Sequence, residues 1–375
     1  MKIEVLREKL NQAVSIVSRA AIKSASLPIL EGVMVKADDN TVQFSATDLE
    51  VGIRVSALAK ISKSGQAVVP ARILSALGKL MSGDKVSLEL IKNSLVIKDD
   101  DNETSLQTLA SEDFPVIPQP NDDFSVEING SELSKGLAQV IDCVSTSQSR
   151  PEISGVYLKI SGDQLTIVAT DSYRLAQKNI SLPVKAKKDR EMILPAKAVN
   201  HLIGIIGETN NLIKVSGDDN QIRFEFTLGE APLSLEIEMV SRLIEGTYPR
   251  YQEVIPQKSS VKIRVDRHEF MGKIKAASLL SDQTYEVRLS TQSEEGRLKI
   301  EARSSRVGEF KSSLVAEIEG GETEVAFNGR FLSDALLNLS GSDAQIGLTD
   351  SDKAALIKSG DDQSYLYVLM PIRSN

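Results

Sequence analysis

Tryptophan is absent from the 375 residues, aromatic residues of all kinds make up 4%, and there are one cysteine and two histidines. Each shortage removes a class of function. Cys143 has no second cysteine with which to close a disulfide or build a cysteine zinc site, and between Val140, Ile141 and Val144 it reads as a buried thiol. His201 and His268 fall in different candidate helices with no further ligand at metal spacing, so no metal and no cofactor is expected. Scarce aromatics leave little for stacking nucleobases. No apolar run reaches the ~20 residues of a membrane span. The opening MKIEVLREKLNQ has no signal-peptide core, so a cytoplasmic location is expected. A P-loop, Gly-x-Gly-x-x-Gly, His-Glu-x-x-His and Gly-x-Ser-x-Gly are all missing. Catalysis is not expected.

What the chain does contain is itself, more than once. PILEGVMVKADDNTVQFSATD at 28–48 lies over PEISGVYLKISGDQLTIVATD at 151–171 without a gap, with seven identities in 21 positions. Upstream of each block, Leu6, Leu10, Ala13, Val14 and Val17 repeat the spacing of Leu133, Leu137, Val140, Ile141 and Val144, which puts one apolar stripe on a helix. Phe270, Ile274 and Ala277 carry a weaker third copy. Further helix starts follow at VVPARILSALGKL, ILPAKAVNHLIGII and AFNGRFLSDALLNL, two of them with proline in the first turn. The pattern predicts one α+β unit used three times, over 1–117, 125–246 and 258–375, parted by the proline-bearing stretches ASEDFPVIPQPNDD and EGTYPRYQEVIPQ.

Charge follows the same plan. The predicted helices, 5–23, 71–82, 131–150, 196–207, 267–280 and 329–340, hold 13 Lys or Arg and 5 Asp or Glu, a net of +8 in a chain whose net charge is −8. The remainder then carries −16. Lysine and arginine are good helix formers, but so is glutamate, and only Glu8, Glu132 and Glu269 occur there. Helices on a shared face would make that face basic and suited to diffuse phosphate contact without base readout. The run Asp99 to Asp101 reads as a solvated hairpin tip, and the duplicated Asp48 and Asp171 as turn-forming residues.

LPIL at 27–30, ATDSYRLA at 169–176, TYPRYQEVIP at 247–256 and YLYVLMPIR at 365–373, with the triplicated unit, together resemble the bacterial sliding clamp, the beta subunit of DNA polymerase III, over essentially the whole chain. The resemblance implies a head-to-tail homodimeric ring of clamp domains around duplex DNA, helices inside and antiparallel sheets outside. It implies a cytoplasmic protein, associated with the nucleoid during replication. Its partners would be the replicative polymerase, an ATP-driven clamp loader and other proteins carrying a Gln-Leu-x-Leu-Phe-like segment. The implied peptide site comprises Ile153, Thr170, Ser172, Tyr173, Arg174, Leu175, Pro249, Val254, Asn328, Phe331, Val368, Leu369, Met370, Pro371, Ile372 and Arg373, with apolar walls burying the peptide's Leu and Phe and Arg174 fixing its orientation. Lys23, Arg72, Arg150 and Lys197 are the expected DNA contacts, and Leu106, Leu279 and Leu280 the expected ring interface. The family usually has His at the position of Tyr173, and some members have Arg at that of Glu253, which puts Glu253 in doubt as a contact.

Two other readings stand beside this one. An enzyme could borrow the scaffold and use Asp48, Asp171 and the Asp99 cluster as acids. A structural repeat protein could turn its basic helices toward acidic partners.

Overall fold

The computed structural model describes residues 1–147 and 149–372. Six helices punctuate it: α1 (Arg7–Val17), α2 (Ala71–Leu80), α3 (Gly130–Ile141), α4 (Ala196–Ile206), α5 (Arg267–Leu279) and α6 (Gly329–Asn338). The chain divides into two compact units, the first comprising Met1–Ser134, Ser161–Asp163 and Leu182–Ile244, the second Lys135–Ile160, Gln164–Ser181 and Glu245–Asn375.

In the first unit one sheet runs in the spatial order 60–63, 2–6, 85–91, 94–98, 103–107, which leaves Glu103–Gln107 as an edge strand. A second sheet joins the two sequence copies: Glu236–Ser241 pairs antiparallel with Val51–Ser56, from Glu236 opposite Ser56 to Ser241 opposite Val51. Alternation along the strands places Val33, Val35, Phe44, Val55, Phe224 and Met239 in the core. The predicted stripe of α1 is buried at Leu10, Ala13, Val14 and Val17.

The second unit repeats the scheme. Leu175 and Ala176 in strand Arg174–Ser181 lie opposite Val368 and Tyr367 in strand Tyr365–Leu369, which joins central and C-terminal thirds of the sequence in one sheet. A smaller sheet runs in the order 308–315, 297–304, 286–292, 324–328. Phe270, Ile274 and Ala277 on α5 are fully buried, as their spacing predicts.

Four helices end within two residues of expectation, and two end well short of it. α1 stops at Val17 instead of continuing to residue 23, and α3 stops at Ile141 instead of 150. The cause is the same in both copies: the amide of Ile22 turns back to the carbonyl of Leu30 at 3.0 Å, and the amide of Ser145 to that of Ile153 at 2.9 Å. These backbone bonds bend the chain away before a proline-led 3-10 turn. Arg19, Lys23, Asp142 and Arg150 consequently fall outside the helices, which hold 10 basic and 4 acidic side chains, a net of +6. Charge remains segregated, with −14 elsewhere.

Candidate partner cleft

The Ala-Thr-Asp stretches are one turn built twice. In the first copy the amides of Glu50 and Val51 donate to Asp48 Oδ1 at 2.9 and 2.6 Å; in the second those of Tyr173 and Arg174 donate to Asp171 Oδ1, both at 2.9 Å. The threonine hydroxyl donates to the carbonyl of Val51 or Arg174, at 2.9 and 2.7 Å. The residue after the aspartate is left-handed in each, Leu49 at φ 77° and Ser172 at φ 78°. An aspartate that accepts two amides in this way can hold a non-glycine residue in that region. The aspartates act as turn formers, as expected, and Asp99 likewise organises its hairpin tip, with its carboxyl held down to about 2 by the Ser82 amide and its own turn.

The two turns differ in their counter-charge. Asp48, with 1% of its side chain exposed, is ion-paired with Lys197 on α4, whose side chain is 44% exposed. Burial alone would raise the Asp48 carboxyl, but Lys197 and the amides of Val51 and Glu50 outweigh it and hold the group below the ordinary carboxylate range. Lys197 therefore serves the fold besides its expected DNA contact. Because the folded-state value is depressed, this pairing contributes fully above the unfolded value of about 4 and is lost as pH falls below it. Lys197→Met should cost about 1–2 kcal/mol at neutral pH, discounted from a fully buried pair for the exposed lysine. The difference from the native chain in thermal unfolding should shrink as Asp48 protonates in acid; a pH-independent difference would show that the loss comes from packing.

In the second copy the aspartate is paired with the residue that closes its own turn. Arg174 Nε donates to Asp171 at 3.0 Å, its Nη1 to Asp334 and, at 3.4 Å, to the Tyr367 hydroxyl, and its Nη2 to the carbonyl of Asp142. The guanidinium stacks on Phe331 at 4.2 Å from the ring centre. Its fork of donors is thus engaged inside the protein. Arg174 contributes a rigid wall, with four of its five N–H donors held by these bonds.

Above this platform lies a cleft of about 220 Å³, entirely within the second unit, lined by Thr170, Ser172, Tyr173, Leu175, Pro249, Val254, Val368 and Met370 together with Arg174. All nine were expected there. Leu175 and Val368 form a buried floor, while Tyr173 at 66%, Val254 at 52% and Met370 at 39% exposure form an apolar rim with nothing packed over it. The volume suits one or two apolar side chains better than a whole small-molecule ligand. The amide of Met370 donates to the carbonyl of Tyr173 at 2.9 Å, and that of Ile372 to Ala326 at 2.8 Å, so the chain beyond the last strand is fastened on both sides.

Three further lining residues are Arg150, Arg250 and Tyr251. Arg150 was expected on DNA; the early end of α3 brings it to the cleft rim, where it donates to Ser172 Oγ and to Glu152, each at 3.1 Å. Tyr251 belongs to a cluster with Tyr157 and Tyr248, the latter two stacked at 4.8 Å. Its place inside TYPRYQEVIP was the only signal. Glu253 is 72% exposed, faces Arg250 at 3.9 Å and does not line the cleft.

The remaining expected residues do not line it. Ile153 and Leu369 are buried. Asn328 caps α6 by accepting from the amides of Arg330 and Phe331. Phe331 is the ring under Arg174, Pro371 and Ile372 are half-buried, and Arg373 lies outside the described residues. Lys23 and Arg72 are exposed. Leu106 is half-buried on the edge strand opposite Leu95, Leu279 ends α5 at 80% exposure, and Leu280 is half-buried. Leu80, ending α2 at 78% exposure, is an equally bare leucine that the repeat pattern did not single out. Cys143 is buried, its thiol pushed up to about 12 by desolvation. Among the described residues no acidic, histidine or cysteine cluster could hold a metal, and no helix is long and apolar enough to cross a membrane.

Repeated α+β units, basic helices and an uncovered apolar cleft are the features of a DNA clamp. Models of the DNA polymerase III beta subunit match along the chain, the N-terminal domain over 1–118, the central domain over 127–250 and the C-terminal domain over 252–373. The chain belongs to this family and is a bacterial sliding clamp, a non-enzymatic component of DNA replication. It is 27% identical to the beta sliding clamp of Bacillus subtilis over 386 aligned residues covering all of both chains. A crystal structure of the DNA polymerase sliding clamp from Bacillus subtilis, 27% identical, superposes with a TM-score of 0.93 over the full length of both. So does one from Pseudomonas aeruginosa bound to griselimycin, 25% identical, with a TM-score of 0.93 and full coverage of both chains.

Proposed function

We propose that the protein acts as a head-to-tail homodimeric ring of three clamp domains per chain, over 1–117, 125–246 and 258–375, placed around duplex DNA by an ATP-driven loader. The replicative polymerase and other partners dock by a Gln-Leu-x-Leu-Phe-like segment whose apolar side chains enter the cleft on Leu175 and Val368. The observation that carries this reading is an uncovered apolar rim set on a floor that segments nearly 200 residues apart build together. Lys23, Arg72 and Lys197 are the proposed phosphate contacts. Arg150 is proposed at the cleft instead, consistent with its bonds to Ser172 and Glu152.

Retention by topology needs no tight affinity, and diffuse charge leaves a ring free to slide. The protein is loaded with a clamp loader and ATP onto nicked circular DNA, which is then linearised. A ring runs off the ends; a protein that stays is held by direct affinity, and that outcome would sink the proposal. For the cleft, deleting Met370–Asn375 removes a rim residue and both fastenings of the terminal segment. Binding of a labelled Gln-Leu-x-Leu-Phe peptide should fall below detection while the dimer persists. Unchanged peptide binding would place the site elsewhere.

A further inference from the structure

We propose that the loop of residues 182–189, between strands Arg174–Ser181 and Arg190–Pro195, is a second phosphate-binding surface for duplex DNA, separate from the basic helices. The stretch Lys185-Ala186-Lys187-Lys188 puts three lysines in four residues of a chain with a net charge of −8. All three are exposed, and among the described residues none has a carboxylate partner. The neighbouring charges are committed elsewhere: Asp189 accepts from the Ser161 hydroxyl at 2.7 Å and from the Gly162 amide at 3.3 Å, and Arg190 is paired with Asp219 at 2.9 Å.

The lysines stand on a fixed backbone. The Leu182 amide donates to Asp163 and the Ala186 amide to Gly162, both at 2.8 Å, so the loop is tied at two points to the hairpin tip beside it. A tethered loop loses less conformational freedom when its side chains engage a polyanion than a free one would. Lys185 and Lys187, two residues apart, span at most about 7 Å of backbone. Phosphates follow one another at about 3.4 Å of rise per strand, so the three ammonium groups can meet successive phosphates of one backbone. With no aromatic residue in the loop, base stacking is unavailable and the contact is to phosphate, without sequence preference. A sliding clamp works on duplex DNA, which makes that polyanion the one held at high local concentration.

The test uses the full-length protein with Lys185, Lys187 and Lys188 all changed to Ser, beside a triple change to Arg. Binding of a labelled short duplex is followed by anisotropy between about 50 and about 200 mM salt. The Ser variant should lose about tenfold or more in affinity at the low-salt end, and the slope of log K against log salt should fall by about 2 to 3, three contacts at about 0.9 each. The Arg variant should keep both. Since the loop is exposed and remote in sequence from the cleft segments, each variant should bind the Gln-Leu-x-Leu-Phe peptide as the native chain does. That separates failure of this proposal from failure of the cleft. An unchanged slope overturns it. So does loss of binding to a polyglutamate probe with duplex binding intact, which would make the loop a surface for an acidic protein.

Discussion

Arg174→Ala should destabilise the second unit by about 3–5 kcal/mol and abolish peptide capture by the cleft. The magnitude follows from what the guanidinium leaves behind. Asp171 and Asp334 lose their counter-ion, the Asp142 carbonyl and the Tyr367 hydroxyl lose a donor, and the Phe331 ring loses its stacked cation. Unpaired charges left in a partly closed site cost more than the pair itself contributes. The cleft shares in the loss because Arg174 begins the strand whose next residue, Leu175, is its floor, and because Asp171 sets the turn that presents Tyr173. Arg174→Lys keeps the charge but has one point donor where the native fork reaches four partners, so it should recover only part of the stability. The check is thermal unfolding of both variants, with peptide anisotropy measured well below the first transition. Native peptide affinity in a folded Arg174→Ala protein would show that the cleft does not depend on this platform.

Leu279→Ala combined with Leu280→Ala should convert the proposed dimer to monomers in sedimentation velocity. A leucine 80% exposed at the end of α5 is unfavourable in a lone protomer, and truncating one that is buried in a seam costs about 2–5 kcal/mol. Two such losses are large for a single interface, of which a ring would have two. The edge strands Glu103–Gln107 and Gly308–Val315 each leave one hydrogen-bonding side open within their own sheet, as Lys60–Lys63 and Glu324–Asn328 do at the opposite edges, a template on which another chain can pair. Leu80→Ala should act in the same direction. A dimer that withstands dilution in the double variant would remove these leucines from the interface.

The tandem plan was legible because duplication leaves residues at a constant offset, and the offset of 123 reappears physically in the paired amides of Ile22 and Ser145 and in the left-handed Leu49 and Ser172. The helix cores were legible from their apolar spacing. Their ends were not: residues 18–23 and 142–150 contain nothing that forbids a helix, and what stops them is a backbone bond to a residue eight positions on. The bond of Ser145 to Ile153 is what takes Arg150 off the helix and to the rim of the cleft. The commitment of Arg174 was equally invisible, because Asp334 and Tyr367 lie 160 and 193 residues away and carry no local mark of the contact. The cleft residues themselves came from family motifs; by periodicity alone Val368–Met370 would be an ordinary last strand.

The turn shared by the two copies has a consequence for how such a protein can diversify. The aspartate and threonine settle the backbone, and the residue that follows Leu49 or Ser172 is held outward and exposed whatever its chemistry: Glu50 in one copy, Tyr173 in the other. Duplication thus supplied a mount with an interchangeable fitting. The side chain at that position can change without renegotiating the fold beneath it.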